Sequence, residues 1–116
     1  MRHIIGAGRR RIAYVAGPDD WFDAQARERG WRCALEDSGL RPAGRFAGDW
    51  SAESGYEAGT ALCLAIAGAP AGQRPDAVFC ANDLMALGLL AAACDQGVAV
   101  PQALAVVGYD DTAGSE

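Results

Sequence analysis

The stretch Ala77–Asp111, AVFCANDLMALGLLAAACDQGVAVPQALAVVGYDD, decides the fold of this chain. It contains two short apolar runs, Ala77–Ala81 and Leu104–Tyr109, separated by an apolar segment of helical length. This pattern predicts a strand, a helix and a second strand, and because a helix connects the strands, they run parallel. Polar residues end both runs, Asn82 after the first and Asp110 after the second. Since open parallel sheets bind ligands outside the carboxyl ends of their strands, these residues predict a binding site.

The rest of the chain continues the alternation of short apolar runs and helical segments. Two further strands are predicted, at Arg11–Ala16 and around Ala43–Ala47. Three helices are predicted in all, from about Trp21 to Asp37, from Ala52 to Ala69 and from Asp83 to Gln96. The order β-α-β-α-β-α-β predicts an α/β fold, a three-layer parallel sheet of about four strands with helices on both faces.

Helix ends and one internal glycine give finer expectations. Asp19 or Asp20 is expected to cap the first helix and Ser51 the second, because their side-chain oxygens accept backbone N–H groups that have no partner within the helix. Asp83 is a candidate cap for the third helix. Gly30 costs about 1 kcal/mol relative to alanine inside a helix. Close packing of a neighbouring element is therefore expected at Gly30.

Composition and charge bound the class of protein. With 116 residues, of which 51% are apolar, the chain has the size and composition of one globular domain. No apolar run approaches the roughly 18 residues that cross a membrane, and the start, MRHIIGAGRRR, lacks the apolar core of a secretion signal. A cytoplasmic location is therefore predicted. The net charge of −5 makes the chain itself a poor nucleic-acid binder, because phosphate contacts need excess positive charge.

Cysteine and histidine usage argues against metal and triad chemistry. Cys33, Cys63, Cys80 and Cys94 are spaced too widely for a zinc pattern, and they are expected to be free thiols used as small apolar residues. His3 is the only histidine, which removes Ser-His-Asp and Cys-His catalysis and most metal sites. No catalytic residue, metal or cofactor is predicted.

Four motifs, in order, carry a family resemblance. They are RRRIAYVAGP with ARERGW (9–31), GDWSAESGYEAG (48–59), CANDLMALG (80–88) and VPQALAVVGYDDT (100–112). Together they resemble the effector-binding domain of the lactose-repressor (LacI) family of bacterial transcription regulators. The resemblance implies a periplasmic-binding-protein-like fold, with residues 1–116 forming part of the effector (sugar)-binding domain. It also implies that the helix-turn-helix headpiece and the first subdomain of such regulators are absent from this sequence.

The resemblance implies five ligand-binding residues: Asp23, Arg27, Trp50, Asn82 and Asp110. Their chemistry suits a polyol, because Arg27 offers a fork of donors, Asp110 accepts from hydroxyls and Asn82 does both. Two alternatives stay open from the residues alone. Asp23 and Arg27, four apart on one helix, also fit an ordinary surface pair. Trp50 fits either stacking on a ring or filling a gap between helix and sheet.

The third predicted helix is apolar nearly all round, so it needs a second partner besides the sheet. The resemblance implies a homodimer, with Leu87 in the interface. The alternative is that parts of the chain missing from this sequence cover this helix.

Two departures from the family leave the ligand's identity open. Arg9 stands where the family usually has histidine, and DDWFD (19–23) is an unusual flank.

The function implied is the effector-binding portion of a LacI-family regulator that senses a small sugar-like metabolite and binds operator DNA only through the headpiece. A periplasmic sugar-binding protein is the alternative, although Asp111 stands where such proteins usually have glycine. An enzyme is not predicted, because adjacent Asp110 and Asp111 point to opposite faces of a strand and no nucleophile–base set is visible. A phosphoacceptor domain fails because the chain has no lysine. This sequence alone, with half the cleft, is expected to bind effector weakly or not at all.

Overall fold

A parallel four-stranded sheet forms the centre of the molecule. The computed structural model describes residues 8–108, within which the strand order is β2-β1-β3-β4. The strands are β1 (Ile12–Ala16), β2 (Arg45–Ala47), β3 (Ala77–Cys80) and β4 (Ala105–Gly108). All neighbours pair in parallel, with Tyr14 opposite Arg45 on one side and opposite Phe79 on the other. Every residue of β1 and β3 is buried, as expected for central strands covered on both faces.

Three helices connect the strands and complete the predicted α/β architecture. They are α1 (Phe22–Asp37), α2 (Ala52–Gly68) and α3 (Asp83–Asp95), and a short 3-10 turn follows α2 at Ala71–Gln73. The predicted fold class is confirmed, and the element boundaries lie within about two residues of the expected ones. Alternation of apolar runs and helical periodicity was sufficient to place every element.

One face of the sheet is covered by α1 through stacked aromatic rings. The ring of Tyr14 lies 4.7 Å from that of Trp31 and 5.9 Å from that of Phe79, measured between centroids. Trp31 and Leu35 are almost fully buried there. Because side chains alternate along a strand, the neighbours of Tyr14 and Phe79 face the opposite side, towards α2 and α3.

The other two helices pack against each other at backbone distance. A methyl group placed on Gly88 would lie 1.8 Å from the carbonyl oxygen of Ala52, and one on Gly55 would lie 2.1 Å from that of Met85. At Gly59, it would lie 2.9 Å from the Cβ of Ala92. Only glycine allows this approach of α2 to α3.

Two of the predicted helix caps are wrong. Trp21, not Asp19 or Asp20, is the N-cap residue of α1, and no side chain in the described part of the chain caps it. Asp19 instead accepts a hydrogen bond from Arg45, 2.6 Å away. Asp83 belongs to the first turn of α3, where a carboxylate favours the helix dipole, and Asn82 is the cap.

The cap on α2 is confirmed, whereas the expectation for Gly30 is wrong. The Ser51 side chain accepts from the N–H of Ser54. Around Gly30, no described heavy atom lies within 4 Å of the position that a methyl group would take. This glycine therefore faces open space and carries the ordinary helix penalty without a packing reason.

The arginines at the start of the chain hold loops together. Arg9 donates to the carbonyl oxygens of Asp76 and Pro101, at 3.1 and 2.5 Å, and the Asp76 carboxylate accepts from the backbone N–H groups of Arg10 and Arg11. These hydrogen bonds of Arg9, Arg10 and Arg11 thus connect the start of β1 to the loops that precede β3 and β4.

Within residues 8–108, all four cysteines are free thiols. Cys63 and Cys80 are buried, as expected for small apolar residues, whereas Cys33 and Cys94 are exposed, so the expectation is wrong for those two. In the same residues, no three His, Cys, Asp or Glu side chains are placed to hold a metal ion. None of the helices described is long and apolar enough to cross a membrane.

Candidate functional site

A cavity of about 280 Å³ lies at the carboxyl edge of the sheet. Its lining consists of Trp21, Asp23, Arg27, Trp50 and Asn82. Helix α1, which follows β1, and the loops that follow β2 and β3 bring four of the five predicted ligand residues to one place. The fifth, Asp110, lies outside the described residues.

Asn82 is held by two hydrogen bonds from the protein itself. Its Oδ1 accepts from the N–H of Met85 at 2.9 Å, which caps α3, and its Nδ2 donates to the carbonyl oxygen of Trp50 at 3.0 Å. A side-chain amide has two N–H donors and two acceptor lone pairs. One donor and one lone pair therefore remain for a ligand, so Asn82 both shapes the cavity and keeps capacity to bind.

Trp50 stands at the junction of β2 and α2 in a left-handed backbone conformation, with φ of 78°. A bulky residue in this region costs on the order of 1–3 kcal/mol, and such costs gather at binding sites. The indole reaches across to β1, where a methyl group on Gly17 would lie 2.6 Å from its Cη2 atom. Trp50 thus lines the cavity and also packs closely against Gly17 just after β1, while its stacking on a ligand ring stays a prediction.

Arg27 lies half-buried between the indole of Trp50 and the end of β3. Its guanidinium carbon is 5.1 Å from the Trp50 ring centroid, a cation–π distance, and its Nη1 donates to the carbonyl oxygen of Ala81 at 2.5 Å. Since a guanidinium is a rigid fork of N–H donors, the hydrogen bond to Ala81 and the contact with the Trp50 ring fix its orientation. Arg27 therefore contributes a positively charged group of fixed orientation to the cavity lining.

Asp23 lies in the exposed first turn of α1 and contributes a carboxylate to the cavity. Negative charge is favoured at this end of a helix by the backbone dipole. Asp23 and Arg27 therefore place an acceptor and a fork of donors on the same wall. Such a pair can accept from and donate to the hydroxyl groups of a small ligand.

Asp83 occupies the same edge of the sheet next to β4. A methyl group on Gly108 would lie 2.1 Å from Oδ1 of Asp83, so the carboxylate lies directly against the strand end. A residue with a Cβ at position 108 would therefore require the Asp83 side chain to move. Asp83 is thus placed between α3 and β4, rather than in the lining of the cavity.

Trp21 is the lining residue that sequence reasoning missed. It is 54% exposed, and its ring lies 5.9 Å from that of Trp50 at an angle of 72°. The available signal was its position, because a helix start that follows a strand's carboxyl end normally carries Ser, Thr, Asp or Asn. An indole in that place departs from local preference where a ligand is expected.

A larger cleft of about 510 Å³ lies at the opposite edge of the sheet. Arg10, Arg11 and Arg41 line it together with the turn that follows α1. It contains none of the predicted ligand residues, and it faces the amino ends of the strands. Ligands of parallel sheets bind at the carboxyl ends, so the smaller cavity is the candidate site despite its size.

The surface of α3 carries exposed leucines. Leu84, Leu87 and Leu90 are 54%, 61% and 37% exposed. Their exposure agrees with the expectation that this helix needs a second partner, without identifying that partner.

A parallel sheet with a polar and aromatic cavity at its carboxyl edge is the architecture of a small-molecule-binding α/β domain. A family model described as "Periplasmic binding protein-like domain" matches residues 1–116. The lactose operon repressor of Escherichia coli (strain K12) is 36% identical over 115 residues, which cover 99% of this chain and 30% of the repressor. The chain therefore belongs to the periplasmic binding protein-like domain family, and its resemblance to LacI-family regulators is confirmed.

Solved structures agree with this assignment. The dimeric Lac repressor with an 11-residue C-terminal deletion superposes with a TM-score of 0.83 at 36% identity, covering 96% of this chain and 39% of the other. The transcriptional regulator CelR in complex with cellobiose gives a TM-score of 0.81 at 37% identity, covering 95% of this chain and 32% of the other. The chain thus spans about a third of the length of these relatives. They are transcriptional regulators, which favours a regulator over a transport protein.

Proposed function

We propose that this chain is the effector-binding portion of a LacI-family transcriptional regulator that senses a small sugar-like metabolite. The observation that carries the proposal is the cavity itself, in which Asp23 and Arg27 of α1 meet Trp50 and Asn82 from the ends of two loops. Carboxylate, guanidinium, indole and amide groups together match a hydroxylated ring. The likeness to a regulator solved with cellobiose supports the same class of ligand. Asp110 belongs to the proposed site on the strength of the motif resemblance.

Selectivity follows from unmet hydrogen bonds. A hydroxyl that reaches Arg27 or Asp23 replaces water on a charged group, whereas an analogue that lacks this hydroxyl displaces the water without replacing its hydrogen bond. A ligand changes the arrangement of two subdomains only if it binds one arrangement more tightly than the other. The proposed mechanism is therefore a shift between two states of a longer regulator. In that regulator, a separate helix-turn-helix headpiece binds operator DNA in the cytoplasm.

The proposed regulator is a homodimer in which Leu87 lies in the interface. Exposed leucines on α3 and the likeness to a dimeric Lac repressor support this. Leu87→Asp is expected to shift the gene's full-length product towards monomer in analytical ultracentrifugation. Leu64→Asp is the matched control, because Leu64 is equally exposed, at 63%, but lies on α2. A dimer unaffected by Leu87→Asp would refute the interface.

Ligand titration tests the site. The full-length product of the gene is titrated with a panel of mono- and disaccharides by calorimetry, and the best ligand is then measured against variants. Arg27→Ala is expected to weaken its binding at least tenfold, because charge-assisted hydrogen bonds are lost. Arg29→Ala, an exposed arginine on the same helix outside the cavity, is the control and should change affinity less than twofold. An Arg27→Ala affinity within twofold of the original protein would overturn the site assignment.

A periplasmic sugar-binding protein remains the second candidate, because it shares the fold. The two differ in DNA binding, so a gel-shift measurement with the DNA upstream of the gene separates them. Specific, sugar-sensitive retardation is expected from a regulator. Export of the protein with removal of a leader would instead favour transport.

A further inference from the structure

The cleft of about 510 Å³ at the amino edge of the sheet differs in charge from the chain that surrounds it. Its lining contains three arginines, Arg10, Arg11 and Arg41, and no acidic residue. The chain as a whole has 15 acidic and 10 basic residues and a net charge of −5. The cleft is therefore a positively charged site on an acidic protein.

The sheet geometry brings these arginines together. Two of them directly precede β1, and Arg41 lies in the loop that leads into β2. The two strands are parallel neighbours, and the N–H of Ala43 donates to the carbonyl oxygen of Ile12 at 3.0 Å, so both strand starts lie at one edge. Gly39, with φ of 71°, provides the left-handed turn after α1 that leads the chain back to this edge.

The described part of the chain leaves these side-chain charges without ionic partners. Within residues 8–108, none of the three guanidinium groups forms an ion pair with a carboxylate. The Asp76 carboxylate accepts from the backbone N–H groups of Arg10 and Arg11, not from their side chains. The Nε of Arg11 donates to the carbonyl oxygen of Gly72 at 2.9 Å, which orients this guanidinium. All three arginines are exposed, so the cleft combines positive charge with access from solvent.

We propose that this cleft binds a small metabolite that carries a phosphate ester, as a second ligand site at the opposite edge of the sheet from the proposed sugar site. A guanidinium presents a planar fork of N–H donors that matches two phosphate oxygens, and it is more weakly hydrated than an ammonium group. A phosphate monoester carries about two negative charges at pH 7. It therefore relieves the repulsion among the three like charges that the empty cleft holds together.

The size and lining of the cleft favour an ester over the bare phosphate ion. Ligand pockets typically have volumes of about 300–1,000 Å³, and the cleft lies within this range. Leu40 and Pro42 add apolar surface beside the arginines, against which the organic part of an ester can pack. A nucleic acid fits less well, because the net charge of −5 opposes a long row of phosphates outside the cleft.

The inference goes beyond the proposed function and does not depend on it. The lining of the cleft and the lining of the sugar cavity have no residue in common. Strand β1 has five residues, which span about 16 Å from the amino edge to the carboxyl edge. An ester in the cleft and a sugar in the cavity are therefore separate ligands that can be measured independently.

Calorimetric titration of the gene's full-length product tests the site. The probes are ribose 5-phosphate, glucose 6-phosphate and adenosine 5′-monophosphate, each beside its unphosphorylated counterpart, together with inorganic phosphate. At least one ester should bind about tenfold more tightly than both its counterpart and inorganic phosphate, because charge and organic part contribute together. If every ester binds no more tightly than inorganic phosphate, or if none binds, the proposal is wrong.

Charge-removing variants locate the binding. Arg10→Gln/Arg41→Gln should weaken the best ester about tenfold or more. Arg29→Gln/Arg32→Gln is the matched control, since it changes the net charge equally on exposed residues of α1 outside the cleft, and it should change affinity less than about twofold. Arg41→Lys keeps the charge without the fork and should give an intermediate loss. Equal losses in both double variants would indicate a general charge effect and refute the cleft as the site.

Two further measurements keep the interpretation unambiguous. Urea unfolding of Arg10→Gln/Arg41→Gln should show unchanged or higher stability, because like charges are removed; lost ester binding with clearly lower stability would make these arginines structural and contradict the proposal. Arg27→Ala should leave ester binding within about twofold. If Arg27→Ala abolishes ester binding, the ester occupies the sugar cavity and the inference fails while the proposed function stands. If no sugar binds but the esters behave as expected, the proposed function fails and the inference stands.

Discussion

The helices on the two faces of the sheet differ in how closely they pack. On one face, α2 and α3 meet at backbone distance through Gly55 and Gly88, and each begins with a side-chain cap. On the other face, α1 begins without a side-chain cap in the described chain. Its Gly30 faces open space. The close layer fixes the scaffold, whereas the looser layer supplies three residues of the cavity lining, Trp21, Asp23 and Arg27.

The start of α1, which lines the cavity, lacks a stabilising cap residue. A serine at the start of α1 would stabilise that helix by about 1 kcal/mol, but the position holds an indole that lines the cavity. No comparable concession occurs at Ser51, where α2 begins beside the cavity without lining it. The uncapped start of α1 and the positive φ of Trp50 both lie at this edge of the sheet, where the cavity is.

The largest expected effect tests the close layer. Gly88→Ala places a methyl group 1.8 Å from a backbone oxygen of α2, so the two helices must separate. Overpacking typically costs about 1–3 kcal/mol, and a clash with backbone rather than a side-chain tip belongs at the upper end. The free energy of unfolding in urea should therefore fall by about 3 kcal/mol or more. A loss below about 1 kcal/mol would show that α2 and α3 do not pack at backbone distance at Gly88.

The next effect is a loss of stability at high pH, which arises from one buried ionisable side chain on each side of the sheet. Tyr14 lies under α1, and burial raises the pKa of its phenol well above the ordinary 10.0. Cys80 lies on the α2–α3 side, where burial raises the pKa of its thiol from 9.0 to about 12. Both groups stay neutral in the folded protein, while the unfolded chain ionises them. Stability is therefore full below about pH 9 and falls above it, first through Cys80 and then, beyond pH 10, through Tyr14.

The two contributions are separated by Tyr14→Phe. At pH 11, one unit above the phenol's ordinary pKa, the substitution should remove a loss of about 1.4 kcal/mol, measured by urea unfolding relative to pH 8. The loss that begins near pH 9 should persist in this variant, because Cys80 is unchanged. An identical pH profile for both proteins would mean that Tyr14 is reached by solvent on the α1 side.

A smaller effect is expected at the start of α2. Ser51→Ala removes the side-chain oxygen that accepts from the N–H of Ser54 at 3.0 Å. The free energy of unfolding should fall by about 1 kcal/mol, the usual value of such a cap. Trp21→Ser should change stability in the opposite direction at the start of α1. Chemical denaturation of the two variants side by side measures the contrast directly.

The smallest effect has the opposite sign from the first. Gly30→Ala makes the same chemical change as Gly88→Ala, but on a helix face with no described heavy atom within 4 Å. The unfolded chain loses conformational freedom and the helix gains propensity, so stability should rise by up to about 1 kcal/mol. A rise of a few degrees in the melting temperature is the expected observation. A destabilised variant would show that α1 is also closely packed.

The sequence was sufficient for the architecture because its signals are local. Alternating apolar runs place the strands, and Ser51 marks the start of α2 through side-chain chemistry that depends on only a few neighbouring residues. The motif resemblance located Arg27, Trp50 and Asn82 at one edge of the sheet, and the structure brings them to one cavity.

What the sequence could not supply depends on contacts between distant residues. Asp19 was expected to cap α1, but Arg45 lies close enough to take its carboxylate, and that approach depends on the pairing of β1 with β2. The open face at Gly30 and the tight crossing at Gly88 look alike in a sequence, since both are glycines within helices. The role of Trp21 likewise becomes visible only when the loop after β2 brings Trp50 beside it.

The amide of Asn82 gives the domain a short mechanical link. Its Nδ2 donates a hydrogen bond to the carbonyl oxygen of Trp50, which lines the cavity, and its Oδ1 accepts one from the N–H of Met85 in the first turn of α3. Any displacement of this one side chain would therefore break both hydrogen bonds together. The backbone at Trp50 and the first turn of α3 thus depend on the same amide group.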